Sequence, residues 1–389
     1  MINFDNLHNM PRAGFEPARE CSDDFKSSAS TVPPPRLINL LAIIKKVVNN
    51  KIFWNNKGTF LKTSGSMGSP KIIFHTWFQH MRSAVSVIEN TQLSNKSISL
   101  LSLPLNHISG LSILIRAYCS GGKWLLPPIG WSPRWAYDNN VTHLSLVSTQ
   151  LFRFMKNKED IVALRSMQAI LLGGSSISCN LIKEAYFNKL PIIVTYGSTE
   201  TASQVTATRP RDRLLHLYSS GRCLKNHKIE IRDKEIVIRS KTVGVNILKQ
   251  NLSLNCRVLS HFATGDLGYL DSDGYLHVLG RKDNCFISGG ENVYPEEIER
   301  ILLKNSSVED ALVISVHNAE YGRVPVAFVK TNLDLSLIED FLRKYLEGFK
   351  IPKKWHYWPN ELDDVQKPSR CFFSKLLSKY YDKNFENFE

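Results

Sequence analysis

The residues able to do chemistry in this chain gather in a few short strings. Thr63-Ser64-Gly65-Ser66-Met67-Gly68-Ser69-Pro70-Lys71 is rich in glycine and hydroxyl groups and ends in a lysine. After a strand, such a loop presents backbone N–H groups and hydroxyls that can wrap a polyphosphate, with the lysine as a point charge. The G-x-x-x-x-G-K-[ST] spacing of a Walker loop is absent, and a flexible surface loop has the same composition. Tyr196-Gly197-Ser198-Thr199-Glu200-Thr201 follows an apolar run, at the end of a strand where open α/β sheets bind ligands. Its carboxylate suits a hard cation such as Mg²⁺, which takes one or two carboxylates plus phosphate oxygens and water. The same string suits a polar loop that caps a helix at Ser198 or Thr199. Gly173-Gly174-Ser175 closes another apolar run, where paired glycines either let the backbone approach a ligand plane or simply turn the chain. Further on lie Thr264-Gly265-Asp266, Arg281-Lys282-Asp283, Gly289-Gly290-Glu291-Asn292-Val293-Tyr294-Pro295 and Gln366-Lys367-Pro368-Ser369-Arg370. Gly265-Asp266 is also turn chemistry, and the paired Gly289-Gly290 also suits a hairpin. A lysine near a chain end is usually just solubilising.

The elements that must hold these strings follow from periodicity. Residues 1–35 have little pattern and end in Pro33-Pro34-Pro35, as a disordered tail would. Residues 37–48 have helical spacing, and residues 58–63 read as a strand entering the Gly/Ser loop. Strands are predicted at 98–103, 142–147, 167–174 and 190–197, alternating with helices at 109–122, 150–158 and 181–189. That alternation predicts a layered α/β domain with crossover helices. Residues 228–278 change to short strands and polar turns, a small antiparallel β subdomain. Beyond residue 283, helices at 296–305 and 335–349 flank strands at 310–318 and 325–331. The fold class expected is therefore α/β: a large N-terminal domain over 36–280, and a small α+β C-terminal domain over 284–389 joined by a short hinge at 281–283.

Length and composition agree. A chain of 389 residues exceeds one ordinary core, and 43% apolar with 22% charged residues is globular. The formal net charge of +13 suits attraction to polyanions such as ATP, coenzyme A or nucleic acid, or simply a lysine-rich solvated surface. No nucleic-acid-binding motif is present. Seven scattered cysteines without a C-x-x-C pair imply neither a zinc site nor a disulfide framework, and reduced cytoplasmic thiols are expected. No apolar run reaches the ~18 residues of a membrane span, and the N-terminus has no signal-peptide pattern.

In order and spacing, these strings resemble the adenylate-forming acyl-CoA ligase superfamily, which activates a carboxylate with ATP and passes it to a thiol. The resemblance runs from about Lys57 to Leu377. It implies ATP, Mg²⁺ and coenzyme A. Thr63, Ser64, Gly65, Ser66, Gly68 and Lys71 would bind the phosphates, and Gly173, Gly174, Ser175, Tyr196 and Gly197 the adenine side. Tyr196 would stack on the base, Thr199 contact the α-phosphate, Glu200 hold the metal, and Asp266 and Arg281 contact the ribose. Asp283 would be the hinge about which the small domain turns, Lys367 the adenylation lysine, and Gly289 and Gly290 the walls of a pantetheine tunnel. Two departures are visible: Met67 stands where threonine is usual and cannot donate to a phosphate, and Gln366 stands where glycine is common.

Leu103-Pro104-Leu105-Asn106-His107-Ile108-Ser109-Gly110 and residues 142–151 resemble, within that superfamily, the o-succinylbenzoate–CoA ligases of menaquinone biosynthesis. That substrate is an aromatic dicarboxylate, so its pocket needs apolar walls and donors for the non-reacting carboxylate. His107, Ser109, Arg116, Gln150 and Ser198 are the implied substrate residues, with His107 joining Lys367, Thr199 and Glu200 in the catalytic set. Arg116 suits a bidentate carboxylate contact and equally the surface of an amphipathic helix. Other readings use the same machinery: another aryl or acyl acid, a carrier-protein thiol in place of coenzyme A, or a catalytically weak nucleotide binder. About sixty residues precede the phosphate loop, too few for the layered first subdomain of such ligases. A shortened front with an exposed or rebuilt packing surface is therefore expected, with homo-oligomerisation as one way to cover it.

Overall fold

The computed structural model describes residues 53–54, 57–63, 71–174, 177–246, 261–359, 370 and 372–377. The predicted tail, the helix at 37–48, and Ser64, Gly65, Ser66, Met67, Gly68, Ser175, Gln366 and Lys367 lie outside them.

A seven-stranded sheet organises the larger part. Its order is Arg222–Cys223, Ser203–Ala207, Ile192–Ser198, Ala169–Leu172, His143–Leu146, Ile98–Leu100, Lys123–Leu125. The last five strands run parallel; the first two are antiparallel additions. Strands Ala169–Leu172 and His143–Leu146 are buried at every position. Continuous burial explains why they read as unbroken apolar runs rather than alternating ones. The predicted alternation of strand and helix thus holds, with local differences. Residues 150–158 do not form one helix: Ser148–Phe154 ends, and Lys158–Arg165 begins afresh where the Asn157 side chain accepts from Glu159 N–H.

Sequence periodicity missed the strand Lys71–Thr76 and the helix Trp77–Thr91. The helix starts in a capping box between Thr76 and Gln79. Many of its buried residues are polar (Gln79, His80, Ser83, Ser86 and Thr91), which hides the apolar stripe that normally reveals a helix. Strand Lys71–Thr76 pairs antiparallel with Gly58–Thr63 on one side and Val245–Asn246 on the other.

The expected antiparallel β subdomain is the sheet His227–Arg232, Glu235–Ser240, His261–Leu270, Leu276–Arg281. The C-terminal α+β unit orders its strands Glu291–Val293, Phe286–Ser288, Gly322–Thr331, Val308–Asn318, with Lys354–Tyr357 parallel to Gly322–Thr331. Helices Pro295–Leu302 and Leu335–Arg343 share with it a core that includes Phe286, Val313, Val329, Ile298 and Ile338. Pro295 opens its helix as expected, fitting the first-turn position where no N–H is needed. The second helix ends at Arg343, short of the predicted 349. Among the described residues no helix is long and apolar enough to cross a membrane.

Candidate active site

The five parallel strands deliver their carboxyl ends to one edge of the sheet, and several of the predicted residues follow them there. After Ile98–Leu100 the chain passes His107 into the helix Ile108–Cys119, and after His143–Leu146 it reaches Gln150. Ala169–Leu172 ends at Gly173 and Gly174, and Ile192–Ser198 runs into a 3₁₀ turn, Thr199–Thr201. Gly173 is dictated by closeness: a Cβ there would lie 2.5 Å from Thr195 Oγ1. Thr63 and Lys71 stand opposite each other in the hairpin register, so the two ends of the Gly/Ser loop are brought together.

A hydrogen-bonded constellation joins the sheet edge to the β subdomain. Tyr196 donates its phenolic O–H to Asp266 Oδ2 at 2.6 Å, and Arg281 Nη1 reaches Asp266 Oδ1 at 2.9 Å. Arg281 Nη2 is 3.2 Å from Asp283 Oδ2. Asp266 and Arg281 are fifteen positions apart yet directly cross-strand, because His261–Leu270 and Leu276–Arg281 form a hairpin. Burial pushes the Tyr196 phenol far above its usual range, and the Asp266 carboxylate acts in the same direction. Burial also raises the Asp266 pKa, against the hydrogen bond from Tyr196 and the charge of Arg281. The nearby Glu200 charge adds to the rise, which puts Glu200 electrically within this site.

The turn after Tyr196 is held carbonyl by carbonyl. His75 Nε2 donates to Thr199 O at 2.6 Å, Gly244 N–H to Glu200 O at 2.7 Å, Thr242 Oγ1 to Thr201 O at 2.9 Å, and Ser83 Oγ to Ala202 O at 2.8 Å. Ala202 and Ser203 have φ of 57° and 109°, left-handed values that L-residues keep only when the surroundings hold them. The Glu200 side chain, half-buried, makes no hydrogen bond or ion pair among the described residues. Ser198 Oγ is buried and likewise without a partner there. An unpartnered carboxylate and an orphaned hydroxyl beside a rigid turn fit a cation with its phosphate oxygens, so the residues present suit Mg·ATP.

On the substrate side, the helix Ile108–Cys119 carries His107 and Ser109, both exposed, at its start, and Arg116 seven residues beyond Ser109 on the same face. Arg116 is not a surface residue. It is 3% exposed, with Nη1 3.2 Å from Ser112 Oγ and Nη2 3.2 Å from Ser145 Oγ. Burial lowers its pKa to about 10, so the cation persists at neutral pH, and among the described residues no carboxylate pairs with it. Gln150 is partly committed elsewhere: its Oε1 accepts from Val147 N–H, capping the helix Ser148–Phe154. Gly289 and Gly290 form the two-residue turn of a hairpin in which Ser288 pairs with Glu291. Their φ values of 57° and 91° lie in the region that favours glycine. Sequence reasoning did not find His75, Ser83, Thr242 or Gly244; each is a small or polar residue that belongs to no motif.

Two family models match the chain: AMP-binding enzyme over residues 58–244 and AMP-binding enzyme C-terminal domain over residues 297–367. An Escherichia coli MenE variant with bound OSB-AMS is 30% identical, with a TM-score of 0.70, over 82% of this chain and 68% of that one. The chain belongs to the AMP-binding enzymes. Among members of that family, a 2-succinylbenzoate–CoA ligase from Listeria innocua is 33% identical over 299 residues, covering 75% of this chain and 64% of the relative. The Bacillus subtilis o-succinylbenzoate coenzyme A synthetase in complex with ATP and magnesium ion has a TM-score of 0.67 at 31% identity, over 77% and 65%. The chain thus spans about two-thirds of the length of these AMP-binding enzymes.

Proposed function

We propose that the chain is an ATP-dependent acid–CoA ligase that forms an acyl-adenylate and then a coenzyme A thioester, with o-succinylbenzoate as its acid. The observation that carries this reading is the Tyr196–Asp266–Arg281 constellation beside a Glu200 carboxylate that has no partner among the described residues, at the carboxyl edge of a parallel sheet. It supplies hydroxyl-binding charge for a ribose and a carboxylate for the cation of Mg·ATP. Bound Mg²⁺ would neutralise phosphate charge during adenylation. On this reading Thr63, Lys71 and the intervening loop hold the phosphates, Gly173, Gly174, Tyr196 and Gly197 line the adenine, and Thr199 orients the α-phosphate.

Arg116 supports the choice of acid. Among the described residues this buried cation is satisfied only by hydroxyls, and a carboxylate would complete it with two parallel N–H···O bonds. His107, Ser109, Ser198 and Gln150 are the remaining substrate residues of this reading. The small domain, turning about Asp283, would bring Lys367 to the adenylation step and withdraw it for the thiol, with Gly289 and Gly290 beside the pantetheine arm. The proposed setting is the cytoplasm, where ATP and coenzyme A are available. Mass spectrometry tests the sequence of steps. Incubation with Mg·ATP and o-succinylbenzoate should yield the acyl-adenylate, and added coenzyme A should convert it to the thioester. A protein that binds ATP yet forms neither product would overturn the reading.

A further inference from the structure

We propose that His75 is a positioning residue for this reaction: its imidazole fixes the Thr199–Glu200 backbone and so aims the Glu200 carboxylate at the cation of Mg·ATP. The inference rests on the function proposed above. His75 sits in the strand Lys71–Thr76, which leaves the phosphate loop, and its Nε2 lies 2.6 Å from Thr199 O. A carbonyl only accepts, so Nε2 carries the proton and Nδ1 does not. Nδ1 is buried and has no hydrogen-bond partner of good geometry among the described residues, so the ring is held mainly by packing and by the contact to Thr199 O. The ring is fully buried, and burial drives its pKa down to about 4, against backbone hydrogen bonding to Thr199 and Thr242. At neutral pH it is an uncharged donor.

Geometry ties the imidazole to the whole turn. A Cβ at position 244 would lie 2.4 Å from His75 Cε1, so glycine there leaves room for the ring while its N–H holds the next carbonyl, Glu200 O. Thr242 and Ser83 hold the two that follow. The strained Ala202 and Ser203 lie immediately downstream, so the turn keeps its shape only while its carbonyls stay engaged. Glu200 itself has no side-chain partner among the described residues, and its aim therefore depends on its backbone. One strand thus links the phosphate loop at Lys71 to the cation turn at Thr199, which sets the two halves of a nucleotide site in register.

The test is calorimetric titration of the full chain with ATP, with and without Mg²⁺, for wild type, His75→Gln, His75→Asn and His75→Leu. Gln places an amide N–H near the Nε2 position and should keep most of the Mg²⁺-dependent gain in affinity. Asn is as polar but falls short, and Asn and Leu should both lose roughly 10- to 100-fold of that gain. Affinity for Mg²⁺-free ATP, which on this reading feels the turn only through Thr199, should fall by less than the Mg²⁺-dependent gain in Asn and Leu. Retention of the gain by His75→Asn, or equal loss in His75→Gln and His75→Asn, overturns the positioning role. If His75→Leu does not fold, the Gln–Asn pair decides alone. A wild-type protein whose ATP affinity ignores Mg²⁺ would overturn the functional reading itself, and the positioning role with it.

Discussion

The turn at 199–203 and the junction at 279–284 are built in opposite ways. In the turn, four consecutive carbonyls accept donors from three separate segments, and two non-glycine residues are held at positive φ. At the junction, Arg281 pairs with Asp283 at 3.2 Å with both side chains a third or more exposed. Asn284 reaches Glu296, and Arg300 donates to Leu279 O, partly buried contacts made one by one rather than as a continuous set. The exposed Arg281–Asp283 pair contributes about 0–1 kcal/mol and exchanges readily. A site that stabilises charge must not reorganise during the reaction, whereas a hinge must give up its contacts at low cost. The contrast matches the proposed division of labour, with fixed nucleotide chemistry on the sheet edge and a small domain that changes position.

The largest expected effect breaks the mobile half. Lys367→Ala should abolish acyl-adenylate formation yet spare thioester formation from a supplied adenylate, read by following the two half-reactions separately; equal loss of both would contradict a domain that delivers this lysine for one step only. Next is the fixed half. Arg116→Leu should raise the KM for o-succinylbenzoate about 10- to 100-fold, the value of a charge-assisted pair, and leave the KM for ATP unchanged. Because it removes a buried cation that no described carboxylate balances, it should leave thermal stability unchanged or raise it. A stability collapse with unchanged substrate KM would mean that Arg116 serves only the fold.

The smallest effect sharpens the comparison through pH. His75 titrates near 6.5 when unfolded and at about 4 when folded, so between these values the unfolded chain binds more protons. Its contribution to stability is present above pH 6.5 and is lost as pH falls toward 4, by roughly 1.4 kcal/mol per unit. Glu299, whose burial raises its pKa to about 7, works in the opposite sense. The comparison is therefore wild type against His75→Gln in urea unfolding at pH 5 and pH 7. Wild type should lose more stability on acidification than the variant; identical losses would mean that the imidazole is not buried neutral.

Much of the fold was legible because burial on both faces leaves an unmistakable mark. Ala169–Leu172 and the start of Ile192–Ser198 are continuous apolar runs, and the turn residues that follow fall where sheets bind ligands. The helix Trp77–Thr91 was not legible, since half of its buried residues are polar, and Gln79, His80, Ser83 and Ser86 find partners far away in sequence. Ser83, for example, donates to a carbonyl 119 residues on. The Asp266–Arg281 pairing needed a hairpin register that residue spacing does not reveal. Arg116 could be read as surface or site until packing put it inside. His75 carried no signal, because a lone histidine in an apolar strand looks the same whether or not it holds a carbonyl. The tunnel reading of Gly289 and Gly290 came from the resemblance, and the turn they form favours glycine for a reason of its own.

The measurement closest to the central claim is pyrophosphate release with Mg·ATP and coenzyme A, comparing o-succinylbenzoate with benzoate and a medium-chain fatty acid. Release that depends on o-succinylbenzoate is the expected result. Release with none of the three acids, from folded protein that binds ATP, would contradict it.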